Sequence, residues 1–138
     1  MAVVVGYVPT PEGRAALRRA AEETKLRNSR LVVVSTDRAR PFETANGDEH
    51  DHDAELKQVS DELDAAGVVY ELRRNTGVPD PAEELLAVAV ELGAEILVIG
   101  LRRRSPVGKL ILGSNAQRIL LDAPCPVLAV KSEVATTG

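Results

Sequence analysis

Short apolar runs alternate with stretches of helical periodicity along the chain, and this alternation constrains the fold more than any other feature. The apolar runs lie at residues 3–5, 31–34, 68–72, 96–99 and 126–130. Strands that are apolar on both faces and separated by helices are typical of a parallel sheet covered on both sides. The sequence therefore predicts a single α/β domain over residues 1–138, with five strands, four helices and a tail from residue 132.

Residues that favour helix ends mark the boundaries between these elements. Thr10 followed by Pro11 predicts the start of the first helix, and Asp80 before a proline predicts the start of the third. Gly67 and Gly93 follow helical stretches, as glycines that end helices do.

The polar segment from Thr36 to Asp53 is predicted to be the one long connection of the fold. It contains His50 and His52 among acidic residues, and such side chains can bind metals. Their spacing matches no familiar zinc pattern, so a solvated acidic loop is the favoured interpretation. No metal site is predicted.

Composition excludes several functional classes. The net charge is −4 and aromatic residues make up 2% of the chain, which argues against nucleic-acid binding. Cys125 is the only cysteine, and it is interpreted as a buried structural residue in a reducing compartment. No apolar stretch approaches a membrane span and no leader is evident, so a cytoplasmic location is expected. No nucleophile is paired with a base, so catalysis is not predicted, although slow hydrolysis of a bound ligand stays open.

The loop that follows the fourth strand carries the strongest functional signal. It begins at Gly100, contains Arg102, Arg103 and Arg104, and ends at Gly113-Ser114, where a helix starts. Backbone N–H groups at a helix start suit phosphate, and the arginines add positive charge. An anion site is one interpretation; a simple helix cap beside solvated arginines is the other. A P-loop is not predicted, because Arg103 stands where that motif needs glycine.

Three segments together resemble the universal stress protein family (UspA-like). Gly100 and Gly113-Ser114 have the thirteen-residue spacing of its nucleotide signature. Gly77-Val78-Pro79 and the closing segment 123–131 resemble further family motifs. The resemblance implies the adenine-nucleotide alpha-hydrolase-like fold, a doubly wound sheet of order 3-2-1-4-5, and a homodimer formed through the fifth strand. It also implies ATP or AMP as ligand, with or without Mg²⁺.

The resemblance also implies which positions would bind the nucleotide. The loops after strands one and two would hold the nucleoside, and the glycine signature would hold the phosphates. By position these residues are Val8, Thr10, Thr36, Gly100, Arg102, Arg103, Gly113, Ser114 and Asn115.

Two of these positions depart from the family pattern. Val8 stands where the family often has aspartate, and Arg103 replaces the middle glycine of the signature. Arg103 would either block the phosphate path or bind phosphate through its guanidinium. Two functions therefore stay open: a non-catalytic nucleotide-binding stress-response or signalling module, and a dimeric adaptor that has lost the nucleotide and acts through protein partners.

Overall fold

The computed structural model describes residues 2–35, 47–74, 80–101 and 113–131, apart from the side chains of residues 47–53 and 74. The elements in chain order are β1 (Ala2–Tyr7), α1 (Pro11–Arg27), β2 (Arg30–Ser35), α2 (Gly47–Ala66), β3 (Tyr70–Arg74), α3 (Pro81–Leu92), β4 (Ala94–Leu101), α4 (Ser114–Asp122) and β5 (Val127–Lys131). The five strands of the described chain form one parallel sheet in the order β3-β2-β1-β4-β5. The predicted fold class and strand order are confirmed.

Two apolar cores lie on opposite faces of this sheet. Alternate residues of β1 point to opposite sides, so Val3 and Val5 join one core while Val4 joins the other. Helices α1 and α2 cover the first face, and α3 and α4 cover the second. Because the central strands are covered on both sides, they need apolar residues at successive positions rather than an alternating pattern.

The predicted helix boundaries at four positions are confirmed. The Thr10 hydroxyl oxygen accepts a hydrogen bond from the Gly13 N–H at 3.1 Å. Asp80 caps α3 by accepting from the Ala82 N–H at 3.0 Å. Gly67 and Gly93 have φ angles of 73° and 58°, a left-handed conformation that glycine adopts without a steric penalty.

The prediction that residues 47–53 belong to a long connection is wrong, because α2 already begins at Gly47. The first two turns of this helix carry acidic residues and no apolar stripe, so helical periodicity could not reveal them. Acidic residues are nevertheless favourable near a helix N-terminus, where they face the positive end of its dipole. Residues 36–46 and the tail from residue 132 lie outside the described residues.

Three smaller differences concern strand ends and one helix face. The strand predicted at 96–99 extends over Ala94–Leu101, so Gly100 lies inside β4 rather than just after it. The strand predicted at 68–72 instead runs from Tyr70 to Arg74. The periodicity of the last helix predicts that Ala116, Ile119, Leu120 and Ala123 face inward, but Leu120 is 40% exposed, because α4 places only Ile119 deep in the core. Within the described parts of the chain, no helix is both long and apolar enough to span a bilayer.

Candidate functional site

A cleft of about 150 Å³ lies at the carboxyl ends of β1 and β4, on the sheet face that α3 and α4 cover. In open parallel sheets, ligands bind at this edge, where the chain connections diverge to opposite faces. The two strand ends form its base and the first turns of the two helices form its walls. Its lining residues are Gly6, Val8, Pro81, Ala82, Leu85, Ile99, Gly100, Asn115, Ala116 and Ile119.

The turn between β1 and α1 is fixed by backbone contacts. The Val8 carbonyl accepts a hydrogen bond from the Thr10 N–H at 2.8 Å. A Cβ atom at Gly13 would lie only 1.8 Å from the Val8 carbonyl oxygen, so the first turn of α1 packs directly on this turn. Because the Thr10 hydroxyl oxygen accepts the capping bond, its hydrogen can be donated to a ligand. Val8 and Thr10 are therefore held by a rigid local structure.

Gly100 packs closely against α1, on the face of the sheet opposite to the cleft. A Cβ atom at this position would lie 2.5 Å from the carbonyl oxygen of Glu12 in α1. The described contacts thus explain this glycine by the close approach of α1. Its backbone also lines the cleft, so Gly100 contacts α1 on one face of the sheet and borders the candidate site on the other.

The N-terminus of α4 borders the cleft through Asn115. Gly113 is the N-cap with a φ of −72°, and its carbonyl accepts a hydrogen bond from the Gln117 N–H at 3.0 Å. No heavy atom of the described chain lies within 4 Å of where its Cβ would be, and Ser114 and Asn115 are exposed. The N–H groups of this first turn and the positive end of the helix dipole are suited to an anion.

An arginine joins the two helices that form the cleft walls. The Arg118 guanidinium in α4 donates to Asp80 at 2.8 Å and to Glu83 at 3.1 Å, and it lies 3.8 Å from Asp122. The hydrogen bond to Glu83 and the surrounding carboxylates raise the pKa of Arg118 above its ordinary value. Asp80 thus caps α3 with one oxygen and binds Arg118 with the other. The cap was evident from sequence, but its partner on another helix was not.

A second polar contact ties α2 to the end of β1, on the other face of the sheet. Tyr7 is 2% exposed, and its hydroxyl donates a hydrogen bond to Glu55 of α2. Arg14 of α1 lies 3.4 Å from the same carboxylate oxygen. Burial, followed by the hydrogen bond to Glu55, raises the pKa of the Tyr7 phenol well above that of an ordinary tyrosine. This contact holds α2 close to the turn that carries Val8.

The structure brings Val8, Gly100 and Asn115 together in the cleft. Thr10 belongs to the same turn as Val8, and Gly113 and Ser114 precede Asn115 on α4. The remaining three predicted site residues lie outside the described residues: Thr36, Arg102 and Arg103. Sequence reasoning missed Gly13 and Arg118, for which the only signals were a glycine in a helical first turn and an arginine four residues after Ser114.

The other candidates have these positions. Cys125 is partly buried, and burial raises the pKa of its thiol. His50 and His52 fall in the first turns of α2, where side chains are not described. Among the residues that the structure describes, no three potential metal ligands cluster together.

The fold is the adenine-nucleotide alpha-hydrolase-like arrangement, with its cleft at the expected edge of the sheet. A model of the universal stress protein family matches residues 1–131, and the chain belongs to that family. A universal stress protein of Mycolicibacterium smegmatis is 45% identical over 133 residues, which cover 94% of this chain and 96% of the relative.

Two solved structures of the family are similar to this chain and contain adenine nucleotides. A universal stress protein in complex with cAMP has a TM-score of 0.72 at 25% identity, covering 96% of this chain and 98% of its own. The universal stress protein of Archaeoglobus fulgidus in complex with dAMP has a TM-score of 0.67 at 27% identity, covering 95% and 98%.

Proposed function

We propose that this protein binds an adenine nucleotide, ATP or AMP, and acts as a non-catalytic stress-response or signalling module in the cytoplasm. The observation that carries the proposal is the cleft at the ends of β1 and β4, where Val8, Gly100 and Asn115 meet. The N-terminus of α4 would receive the phosphates, and the Val8–Thr10 turn would frame the nucleoside.

Two features of the described residues support this assignment. No described atom lies within 4 Å of a Cβ at Gly113, which starts a helix, and its negative φ would accept a side chain. A glycine that neither packing nor backbone geometry requires is consistent with room kept for a ligand. Two family relatives were solved in complex with cAMP and dAMP. Both ligands contain an adenine ring and a phosphate, the two parts that such a cleft and helix start would recognise.

A homodimer formed through β5 is part of the same proposal. In the described sheet β5 is an edge strand, and its apolar residues from Val127 to Val130 are only partly buried. An apolar edge strand favours pairing with another strand, and a second copy of the chain would cover it.

The second candidate is a dimeric adaptor that has lost the nucleotide and acts through protein partners. Val8 favours it, because an apolar side chain lines the cleft where the family often has a carboxylate. The two functions differ in one measurable property, which is the affinity for adenine nucleotides.

The test is isothermal titration of the protein, stripped of co-purified ligand, with ATP, AMP and cAMP, with and without Mg²⁺. We expect saturable binding at roughly micromolar concentrations, about −8 kcal/mol. Gly113→Thr should weaken it on the order of 10–100-fold, because a β-branched side chain would cover the N–H groups that bind phosphate. Threonine caps helices about as well as glycine, so the variant should keep its unfolding midpoint.

Gln58→Thr serves as the matched control, since it places the same side chain at an exposed position of α2. This control should bind as the parent does. Unchanged affinity in Gly113→Thr would show that the phosphates bind elsewhere. If the parent protein binds none of the three nucleotides, nucleotide binding is refuted and the adaptor function is favoured.

A further inference from the structure

Acidic side chains at the start of α3, one of the two helices that form the cleft walls, are paired with an arginine of the other helix, α4. Asp80 and Glu83 lie in the first turn of α3, whose residues Pro81 and Ala82 line the cleft. Both carboxylates are bound by Arg118 at 2.8 and 3.1 Å. These ion pairs therefore link the two helices that form the cleft walls.

Arg118 also has a fixed relation to the α4 N-terminus. Ser114 and Arg118 are four residues apart in one helix, so they lie on the same face with Cβ atoms about 6 Å apart. Long helical side chains lean toward the N-terminus of their helix. The guanidinium, and the carboxylates that it binds, are thus held on the side of α4 where Ser114 opens the helix.

The charges in this cluster oppose an anionic ligand unless the arginine is present. Asp80, Glu83 and Asp122 carry negative charge, and Arg118 is the cation that the described contacts pair with all three. Removing Arg118 would leave these carboxylates without the cation that the described contacts supply, one helical turn from the proposed phosphate site. Repulsion over this range is strong at low ionic strength and is screened by salt.

We propose that Arg118 is a selectivity-determining positioning residue: by neutralising Asp80 and Glu83 beside the α4 N-terminus, it lets the cleft accept a phosphate-bearing nucleotide rather than only a nucleoside. The inference rests on the proposed nucleotide binding. It differs from a purely structural role because the effect depends on the ligand's charge.

The experiment compares AMP with adenosine, which lacks the phosphate, by titration at about 20 mM salt, where screening is weak. Arg118→Gln should weaken AMP binding on the order of tenfold and adenosine binding less than about twofold. At about 300 mM salt the difference between the two ligands should shrink. Arg118→Lys, which keeps the charge, should preserve most of the preference for AMP.

Two further variants separate charge from structure. Asp80→Asn keeps a good helix cap while removing one carboxylate, so combining it with Arg118→Gln should restore much of the AMP affinity. Arg30→Gln removes an arginine at the amino end of β2, whereas the cleft lies at the carboxyl ends of the strands. This control should leave the affinities for AMP and adenosine unchanged.

Each outcome decides between the two proposals. Equal weakening of AMP and adenosine, or no rescue by the double variant, would overturn the selectivity role while leaving nucleotide binding intact. Failure of the parent protein to bind AMP would overturn the selectivity role, whereas failure to bind ATP, AMP and cAMP would overturn both proposals.

Discussion

Gly13 is the position where the smallest side chain should have the largest effect. A Cβ atom there would lie 1.8 Å from the carbonyl oxygen of Val8 and 2.8 Å from its carbonyl carbon. A Cβ atom does not approach another heavy atom to less than about 3 Å, so Gly13→Ala must move the β1–α1 turn or α1 by roughly 1.2 Å. The obstacle is backbone rather than a flexible side chain, which makes relaxation expensive.

The magnitude follows from two opposed effects. Overpacking typically costs about 1–3 kcal/mol, and a fixed backbone obstacle favours the upper end. Alanine is about 0.5–1 kcal/mol better than glycine within a helix, which offsets part of that cost. We therefore expect Gly13→Ala to lower the free energy of unfolding by about 2 kcal/mol and the melting temperature by about 5–10 °C.

Urea unfolding followed by circular dichroism measures this change, and titration with AMP measures its effect on the site. Because Val8 lines the cleft, the variant should also bind nucleotide more weakly. Gly113→Ser is the matched control for stability: its Cβ meets no atom within 4 Å and serine caps helices well. A Gly13→Ala protein as stable as the parent would refute the close packing of α1 on this turn.

Two further predictions concern titratable groups away from the cleft. Hydrogen bonds from Ser29 and Arg27 hold the pKa of Glu95 below that of an ordinary glutamate, which is about 4.3. The ionised Glu95 therefore stabilises the fold at pH values above the ordinary pKa, and this stabilisation is lost as the pH falls through the lowered pKa. Glu95→Gln should therefore lower the unfolding free energy at pH 7, with a difference from the parent that disappears toward pH 3 in acid–urea titrations; a pH-independent difference would contradict this. Burial raises the pKa of Cys125, so at pH 7 its thiol should react several-fold more slowly with a disulfide reagent in the folded protein than in urea, and equal rates would contradict this.

The parts of the fold that could be predicted are those determined by local sequence. Thr10 and Asp80 cap helices through their own side chains, and Gly93 ends one by its own conformation. The first turns of α2 could not be predicted, because acidic residues without an apolar stripe are compatible with both a loop and a helix start. The end of β4 at Leu101, one residue beyond Gly100, depends on pairing with the neighbouring strand, which the local sequence does not determine.

The candidate site divides in the same way. The helix start at Gly113 could be predicted because it has a recognisable sequence and a family spacing, whereas the binding roles of Gly113 and Asn115 stay predictions. Arg118 was not found, since its carboxylate partners lie 35 and 38 residues earlier in the chain. Gly13 was overlooked because its contact with Val8 appears only when α1 folds back onto the preceding turn.

The absence of described neighbours around a Cβ at Gly113 has a consequence for genetics. Within the part of the chain that the structure describes, no atom lies within 4 Å of that Cβ, whereas Gly13 and Gly100 are both enclosed by the backbone of neighbouring segments. A codon change that replaces Gly113 with a bulkier residue should therefore yield a protein that accumulates to normal levels but binds the proposed nucleotide only weakly. Expressed in place of the parent gene, such an allele would separate the phenotype of losing the ligand from that of losing the protein.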